Sequence, residues 1–395
     1  MTSAKPFDHI IVGGGLQGCL LAHAIAYHQP QADVLLIERS ETLCGNHTWS
    51  FHQSDVPQSA RSWFDPLITF RWPGYIVKFP ARVQRVKIGY ATITSEGLRE
   101  ATERLAAGRT PQGGGSVSVR CGTACQILSP TQVQLGTEQI DAAVVIDCRG
   151  RAASERPPQG SGYQSFIGHE YETGDAWPEA EPTVMDVFAD QSSGFEFLYE
   201  LPFGNGKVLV EYTRFSEEAG VDPSRAEAAI QARLVAAGLG GRSPVRTETG
   251  CLPMPYTVTS RPEQVAVAGG YAACWFHAAT GYSMPLALRF AELTAVVSPD
   301  RVRQTVDQAA SKESARRSFT RFLNRMLFCL VKPSDRWKIF RRFYRVLSED
   351  QIARFYAHRF TAWDALRIVV GIPPAGLSPV RFASSFFPRE SPELT

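Results

Sequence analysis

The chain has 395 residues, 44% of them apolar, enough side chain for about two packed cores and too much for a disordered chain. Its 41 Lys plus Arg stand against 39 Asp plus Glu, and a net charge of +2 excludes a protein whose main partner is nucleic acid. The eight cysteines (Cys19, Cys44, Cys121, Cys125, Cys148, Cys251, Cys274 and Cys329) show no CxxC pair and no metal-ligand spacing, which argues against a metal site. The first 30 residues carry no signal-peptide pattern, and no stretch approaches the ~20 apolar residues of a membrane span. The expected location is cytoplasmic, at most peripheral to the inner membrane.

In chain order, residues 8–12 (DHIIV) predict a strand that ends in Gly13-Gly14-Gly15-Leu16-Gln17-Gly18 and leads into a helix of small and apolar residues. Gly13 permits the tight turn, Gly15 lets backbone approach a pyrophosphate, and Gly18 lets the helix pack close to the strand. The helix N-terminus then offers N–H groups and its positive dipole end to the phosphates. A second strand, Val34 to Ile37, ends at Glu38, twenty residues after Gly18, where a carboxylate can accept from ribose hydroxyls. Glu38 favours an unphosphorylated adenosine ribose, as in FAD or NAD.

Residues 105–116 and 151–162 are turn-rich breaks on composition. Between them, Ile140 to Asp147 followed by Cys148-Arg149-Gly150 resembles the late-strand motif of the glutathione-reductase-type flavoproteins. From 163 to about 260 apolar and polar residues alternate, which predicts a second, sheet-built domain. Within it, 223–238 has the spacing of a helix opened by Pro and closed by Gly. Residues 265–289 resemble the other flavin landmark of that class: an apolar strand, a turn at Gly269-Gly270, and a helix beginning near Gly281. Gly270 stands where such flavoproteins usually place an Asp. From 312 to 345 eleven basic residues, interleaved with aromatics, stand against Glu313 and Asp335, as in helices that anchor at a lipid interface.

Particular blocks resemble the bacterial lycopene beta-cyclases: Gly45-Asn46-His47-Thr48-Trp49-Ser50-Phe51-His52, Phe166-Ile167-Gly168, Met185-Asp186, Lys207 to Thr213, Phe276-His277 with Thr280-Gly281-Tyr282-Ser283, Leu323 to Phe328, Arg336-Trp337 and Ile352 to Ala357. They run in family order over about nine tenths of the chain. The sequence departs from the family at Ala278, where Pro is usual, and at Tyr212, where a second acid is usual. The resemblance implies an α/β fold: a Rossmann-like FAD-binding domain (residues 1–160 and 261–311), a mixed-sheet substrate domain (161–260), and a helical, basic-aromatic segment at 312–395. It also implies an intramolecular lyase or isomerase that closes the ends of lycopene to β rings without net redox, using reduced FAD, NAD(P)H as reductant and a membrane surface as the source of substrate. The fingerprint and flavin landmarks alone equally suit an FAD-dependent monooxygenase or dehydrogenase acting on an apolar substrate.

Such chemistry asks for a carboxylic acid in a dry cavity. Glu211 is the candidate: on the strand VLVEYTRF it shares a face with Leu209 and Thr213, opposite Val208, Val210 and Tyr212. Glu196 and Glu200 are rivals, but their alternation opposite Phe195, Phe197 and Tyr199 reads as a solvent face. His47 is expected to fix the loop behind Glu38 by hydrogen bonding. His277 and Tyr282 are expected near the flavin-facing turn, His277 either touching substrate or packed and hydrogen-bonded. Asp186, inside an apolar strand, needs a partner and could support the site from outside.

Overall fold

The computed structural model describes residues 6–108, 114–150, 160–187, 191, 194–258, 265–271 and 273–370. The chain's apolar runs build a parallel sheet. Phe7–Val12 lies between Val34–Ile37 and Glu138–Asp147, with Val117–Arg120 beyond the former and the two-residue strand Val267–Ala268 beyond the latter. Val34–Ile37 is buried at every position, as required of a strand covered on both faces. Two antiparallel strands, Cys125–Ser129 and Gln132–Leu135, extend this sheet from the first half of Glu138–Asp147. Helix Leu16–His28 follows the glycine turn and packs on helix Met284–Ala295, although some 270 residues separate them; Gln17 Nε2 donates to the Ala287 carbonyl at 3.2 Å.

The second sheet runs Arg246–Pro255, Ser161–Glu172, Lys207–Ser216, Phe195–Phe203, Thr183–Asp186, Tyr75–Phe79, Arg82–Val86. Its last two strands come from residues 75–86, inside the segment read from sequence as nucleotide-binding, because Tyr75–Phe79 pairs in parallel with Thr183–Asp186. A small sheet of Thr48–His52, Tyr90–Thr94 and Phe70–Trp72 also lies within that first segment.

Each face of the second sheet has its own cover. Helix Pro223–Ala236 buries Ala226, Ile230 and Leu234 against Leu198, Val208, Val210 and Tyr212. Across the sheet, Phe195, Phe197, Leu209 and Phe215 meet a C-terminal layer formed by Ser314–Arg325, a π-helical turn Met326–Leu330, and the helices Arg336–Val346 and Glu349–Tyr356.

That layer gives part of the basic-aromatic segment a packing role. Arg336 is fully buried, paired with Glu217 at 2.6 Å and donating to the Leu327 and Phe328 carbonyls. Phe340 stacks on Phe195 at 4.4 Å, and Phe343 packs against Phe355. Part of the apolar face of Arg336–Val346 therefore packs on the sheet, with Trp337, Ile339, Phe340 and Phe343 half-buried. Exposed apolar side chains also appear at Phe322 and around helix Ala362–Val369, where Trp363 is 63% exposed and Leu366, Val369 and the following Val370 are open as well. Among the described residues, no helix is long and apolar enough to cross a membrane.

Candidate functional site

Three stretches remote in sequence converge at the end of the parallel sheet. Gly13, at φ +110°, lies so close to the Cys148 carbonyl and the Arg149 nitrogen that a Cβ would sit 2.7–2.8 Å from them, and a Cβ on Gly18 would strike the Gly13 carbonyl at 1.9 Å. A Cβ on Gly15 would instead point into open space, at the N-terminus of helix Leu16–His28. Such a turn, closed where chain packs on chain and open at the helix N-terminus, could cradle a pyrophosphate. The Glu38 carboxylate accepts from the Gly14 N–H at 2.7 Å and the Ser40 N–H at 2.9 Å, which fixes the acid beside the turn. Gly269 donates to the Asp147 carbonyl, and Gly270, at φ +67°, lies against Gln17, closing the cradle from the other side. Helix Met284–Ala295 begins three residues beyond Gly281, later than the sequence reading placed it.

Between this domain and the second sheet lies a cavity lined by Glu211, Thr213, Phe197, Tyr199, Phe166, His47, Trp49, Tyr90, Tyr282 and Met284, among others. Strand alternation delivers Glu211 to it as expected. The Glu211 carboxyl is buried and accepts from the Thr213 hydroxyl at 2.6 Å. Burial pushes its pKa up to about 8, Glu248 adds to the rise, and the Thr213 bond opposes it. Glu248 stands two strands away: Gly168 is the cross-strand neighbour of both Glu211 and Glu248. A Cβ at Gly168 would lie 3.2 Å from Glu248 and 3.3 Å from Glu211, so glycine leaves the two carboxyl side chains their room. Glu248 is held by Arg246 at 2.6 Å and by the Thr48 hydroxyl at 2.9 Å. It is absent from the sequence reading because RTETG, at the sheet edge, looks like an ordinary exposed strand.

The other candidates separate. The His47 backbone ties its loop to Ser95, while its imidazole, edge-on to Trp49 at 5.4 Å, lines the cavity; burial lowers its pKa. Its side chain is thus a cavity wall rather than the loop's hydrogen-bonding tie. His277 is fully buried, hydrogen-bonded to the Thr280 hydroxyl at 3.1 Å and packed on Phe355, outside the cavity lining. Asp186 pairs with Lys78 at 3.1 Å, outside the cavity lining; Val184 and Met185 are the members of that strand at the wall.

Glu196 and Glu200 are not on a solvent face. Both are fully buried under helix Pro223–Ala236, where Arg225 meets Glu196 at 2.7 Å and Arg233 meets Glu200 at 2.7 Å. Alternation placed them correctly opposite Phe197 and Tyr199, but the helix's arginines cover that face, so neither acid reaches the cavity.

Tyr282 belongs to the wall, and it brings in a residue that sequence reading passed over. Its hydroxyl donates to Asp55 Oδ2 at 2.7 Å and accepts from the His52 N–H at 2.7 Å. Asp55 follows the Gly45–His52 block by three residues; its signal was only a carboxylate just after the strand Thr48–His52.

A second, more apolar cavity adjoins the first, with Thr280, Phe340 and Tyr356 lining both. Leu323, Met326, Leu327, Ile339, Phe343 and Ile368 form its other walls. Of its polar members, Asn324 Nδ2 donates to the Pro255 and Ala278 carbonyls and Arg342 to the Ile368 carbonyl, while Asn324 Oδ1 is buried with no hydrogen-bond partner. The Glu211 carboxyl group thus lies in a cavity of mixed lining, beside a more apolar one that shares three of its wall residues. Among the described residues no cluster of three His, Cys, Asp or Glu side chains could hold a metal ion.

Comparison with known proteins accounts for this arrangement. The family model described as lycopene cyclase protein matches residues 8–382. The chain belongs to the lycopene cyclase family. It is 35% identical to the lycopene beta-cyclase of Pantoea ananas, over 93% of this chain and 95% of that one, and 35% identical to that of Pseudescherichia vulneris, over 96% and 98%. In fold it is similar to HpxO of Klebsiella pneumoniae, solved in complex with FAD, with a TM-score of 0.56 at 14% identity over 84% of this chain and 90% of that one.

Proposed function

We propose that this member of the family closes the acyclic ends of lycopene to β rings, with Glu211 as the proton donor. The observation that carries the proposal is a buried carboxyl group held largely protonated at neutral pH, in an aromatic-walled cavity that adjoins a more apolar one. Cyclisation begins when a proton is added to the terminal double bond, and an acid with a pKa near the working pH is the most effective donor. Phe197, Tyr199 and Phe166 exclude water from the resulting carbocation and offer it π faces. The remaining length of the polyene occupies the adjoining cavity, past Thr280 and Phe340.

The Gly13–Gly18 turn, Glu38 and the Gly269–Gly270 turn fit FAD, which in reduced form would supply negative charge near the cation, with NAD(P)H as reductant and no net electron transfer to lycopene. The reading of FAD rests on that cradle and on the fold shared with an FAD complex. Substrate dissolved in lipid is taken up where Trp363, Leu366, Val369 and Val370 present an apolar face beside Arg345 and Arg367.

Expression in a lycopene-accumulating bacterium, followed by pigment analysis, tests the central reading: conversion to β-carotene or its one-ring precursor is the expected result. Unchanged lycopene from soluble, flavin-loaded protein would refute it.

A further inference from the structure

Ring closure moves two protons, and the cavity wall presents a second carboxyl group, reached through Tyr282. Asp55 is buried, and its Oδ2 accepts from both the Tyr282 hydroxyl at 2.7 Å and the His52 N–H at 3.0 Å. Its Oδ1 is buried with no hydrogen-bond partner. The groups around it come from four parts of the chain. They are His52 on its own turn, with Nδ1 3.8 Å from Oδ2, Tyr282 before helix Met284–Ala295, Arg359 near the C-terminal layer, and the Tyr75 and Tyr90 phenols next to His52. Arg359 spends its guanidinium on the Ser54 carbonyl, so Asp55 has phenol and amide donors where Glu196 and Glu200 have arginines.

Resting on the cyclase reading above, we propose that Tyr282 and Asp55 form the base that receives the proton lost at ring closure, and that this pair decides which proton is lost. Glu211 gives a proton to the terminal double bond, forming a C–H bond and a tertiary cation. The internal double bond attacks that cation, forming the ring C–C bond and moving the positive charge to the next ring carbon. The C–H pair on the carbon that made the new bond then becomes the ring double bond of a β end. Its proton passes to the Tyr282 oxygen as the Tyr282 proton passes to Asp55. One proton enters and one leaves, with no electron exchanged. Loss from the ring methylene on the other side of the cation would give an ε end, and loss from the methyl group a γ end, so the position of the base sets the product.

The same corner is rich in phenols: His52 Nε2 lies 3.1 Å from the Tyr75 hydroxyl, and the Tyr344 hydroxyl is hydrogen-bonded at 3.0 Å to that of Tyr356, a wall residue of both cavities. Burial pushes Asp55 up to about 7, against the lowering effects of the Tyr282 and His52 bonds and of Arg359. A group that must be ionised loses its effect as pH falls through about 7, while Glu211, which must be protonated, loses its effect as pH rises through about 8.

The test compares wild type, Asp55→Asn and Tyr282→Phe in lycopene-accumulating cells and, after purification, as flavin-loaded enzyme with lycopene in vesicles. Wild type is expected to yield β ends and a bell-shaped pH profile. Both variants are expected to turn over about 10- to 100-fold more slowly, to release a measurable fraction of ε or γ ends, and, for Asp55→Asn, to lose the acidic limb of the profile. A purely structural role would lower yield without changing ring type. Should Asp55→Asn not accumulate, Tyr282→Phe, which keeps the ring and removes only the hydroxyl, decides by product alone. Exclusive β ends with an unaltered acidic limb, from active variants, would overturn the proposal. A wild type that forms no rings would instead overturn the cyclase reading.

Discussion

The second sheet carries buried glutamates on both faces, and their partners divide them. Under helix Pro223–Ala236, Glu196 and Glu200 are each met by a guanidinium within 2.7 Å. On the cavity face Glu211 has a threonine hydroxyl and a neighbouring glutamate. Glutamates on adjacent strands of one sheet are thus paired with arginines on one side, while on the other Glu211 is an acid with a pKa near 8. Burial raises the pKa of Glu200 as well as that of Glu211; Arg233 opposes the rise at Glu200, whereas Glu248 adds to it at Glu211.

The largest effect should come from Glu211→Gln, which keeps size and hydrogen bonding but removes the transferable proton. Cyclisation is expected to fall by about 10² to 10⁴ with flavin content intact. Because the folded-state pKa is raised, the stability that Glu211 contributes is fully present below about pH 4.5 and is lost as pH rises through about 8. The variant should therefore melt above wild type at pH 9 and close to it at pH 5. Near wild-type turnover by this variant would break the comparison outright.

Glu200→Gln tests the other face. It removes one of the two carboxylates paired with the half-buried Arg233 and leaves Glu179, a loss read as a lower midpoint in denaturant. Turnover by the protein that remains folded should stay within about twofold, since the side chain does not reach the cavity. A loss as large as that of Glu211→Gln would mean that the two faces share one function.

A smaller effect sharpens the origin of the raised pKa. Glu248→Gln removes the nearby negative charge, so the alkaline limb of the pH profile should move to lower pH and activity at pH 8 should fall by up to about tenfold. The smallest change is expected on the lipid side. Trp363→Ser with Leu366→Ser should weaken co-sedimentation with anionic vesicles while leaving detergent-phase cyclisation intact, whereas Arg336→Ser should act through stability because Arg336 is buried.

Much of this was legible in one dimension. The glycine turn, the strand before it and Glu38 at the end of the next strand are local, and local patterns of period two or of glycine spacing survive without tertiary information. The face of Glu211 followed from alternation, since neighbours on a strand must point oppositely. Family blocks further named the chemistry.

What covers each face was decided only in three dimensions. Alternation separated Glu196 from Phe197 but could not show that Arg225, 29 residues away, would arrive to bury it. An amphipathic helix with Arg336 and Phe340 looks the same in sequence whatever its apolar side meets, and only the fold shows Phe340 stacked on Phe195 and Arg336 paired with Glu217. Asp55 and Tyr282, 227 residues apart, share no periodicity at all. Local geometry is written in the order of residues, whereas the environment that sets a carboxyl group's charge is assembled from segments that become neighbours only on folding.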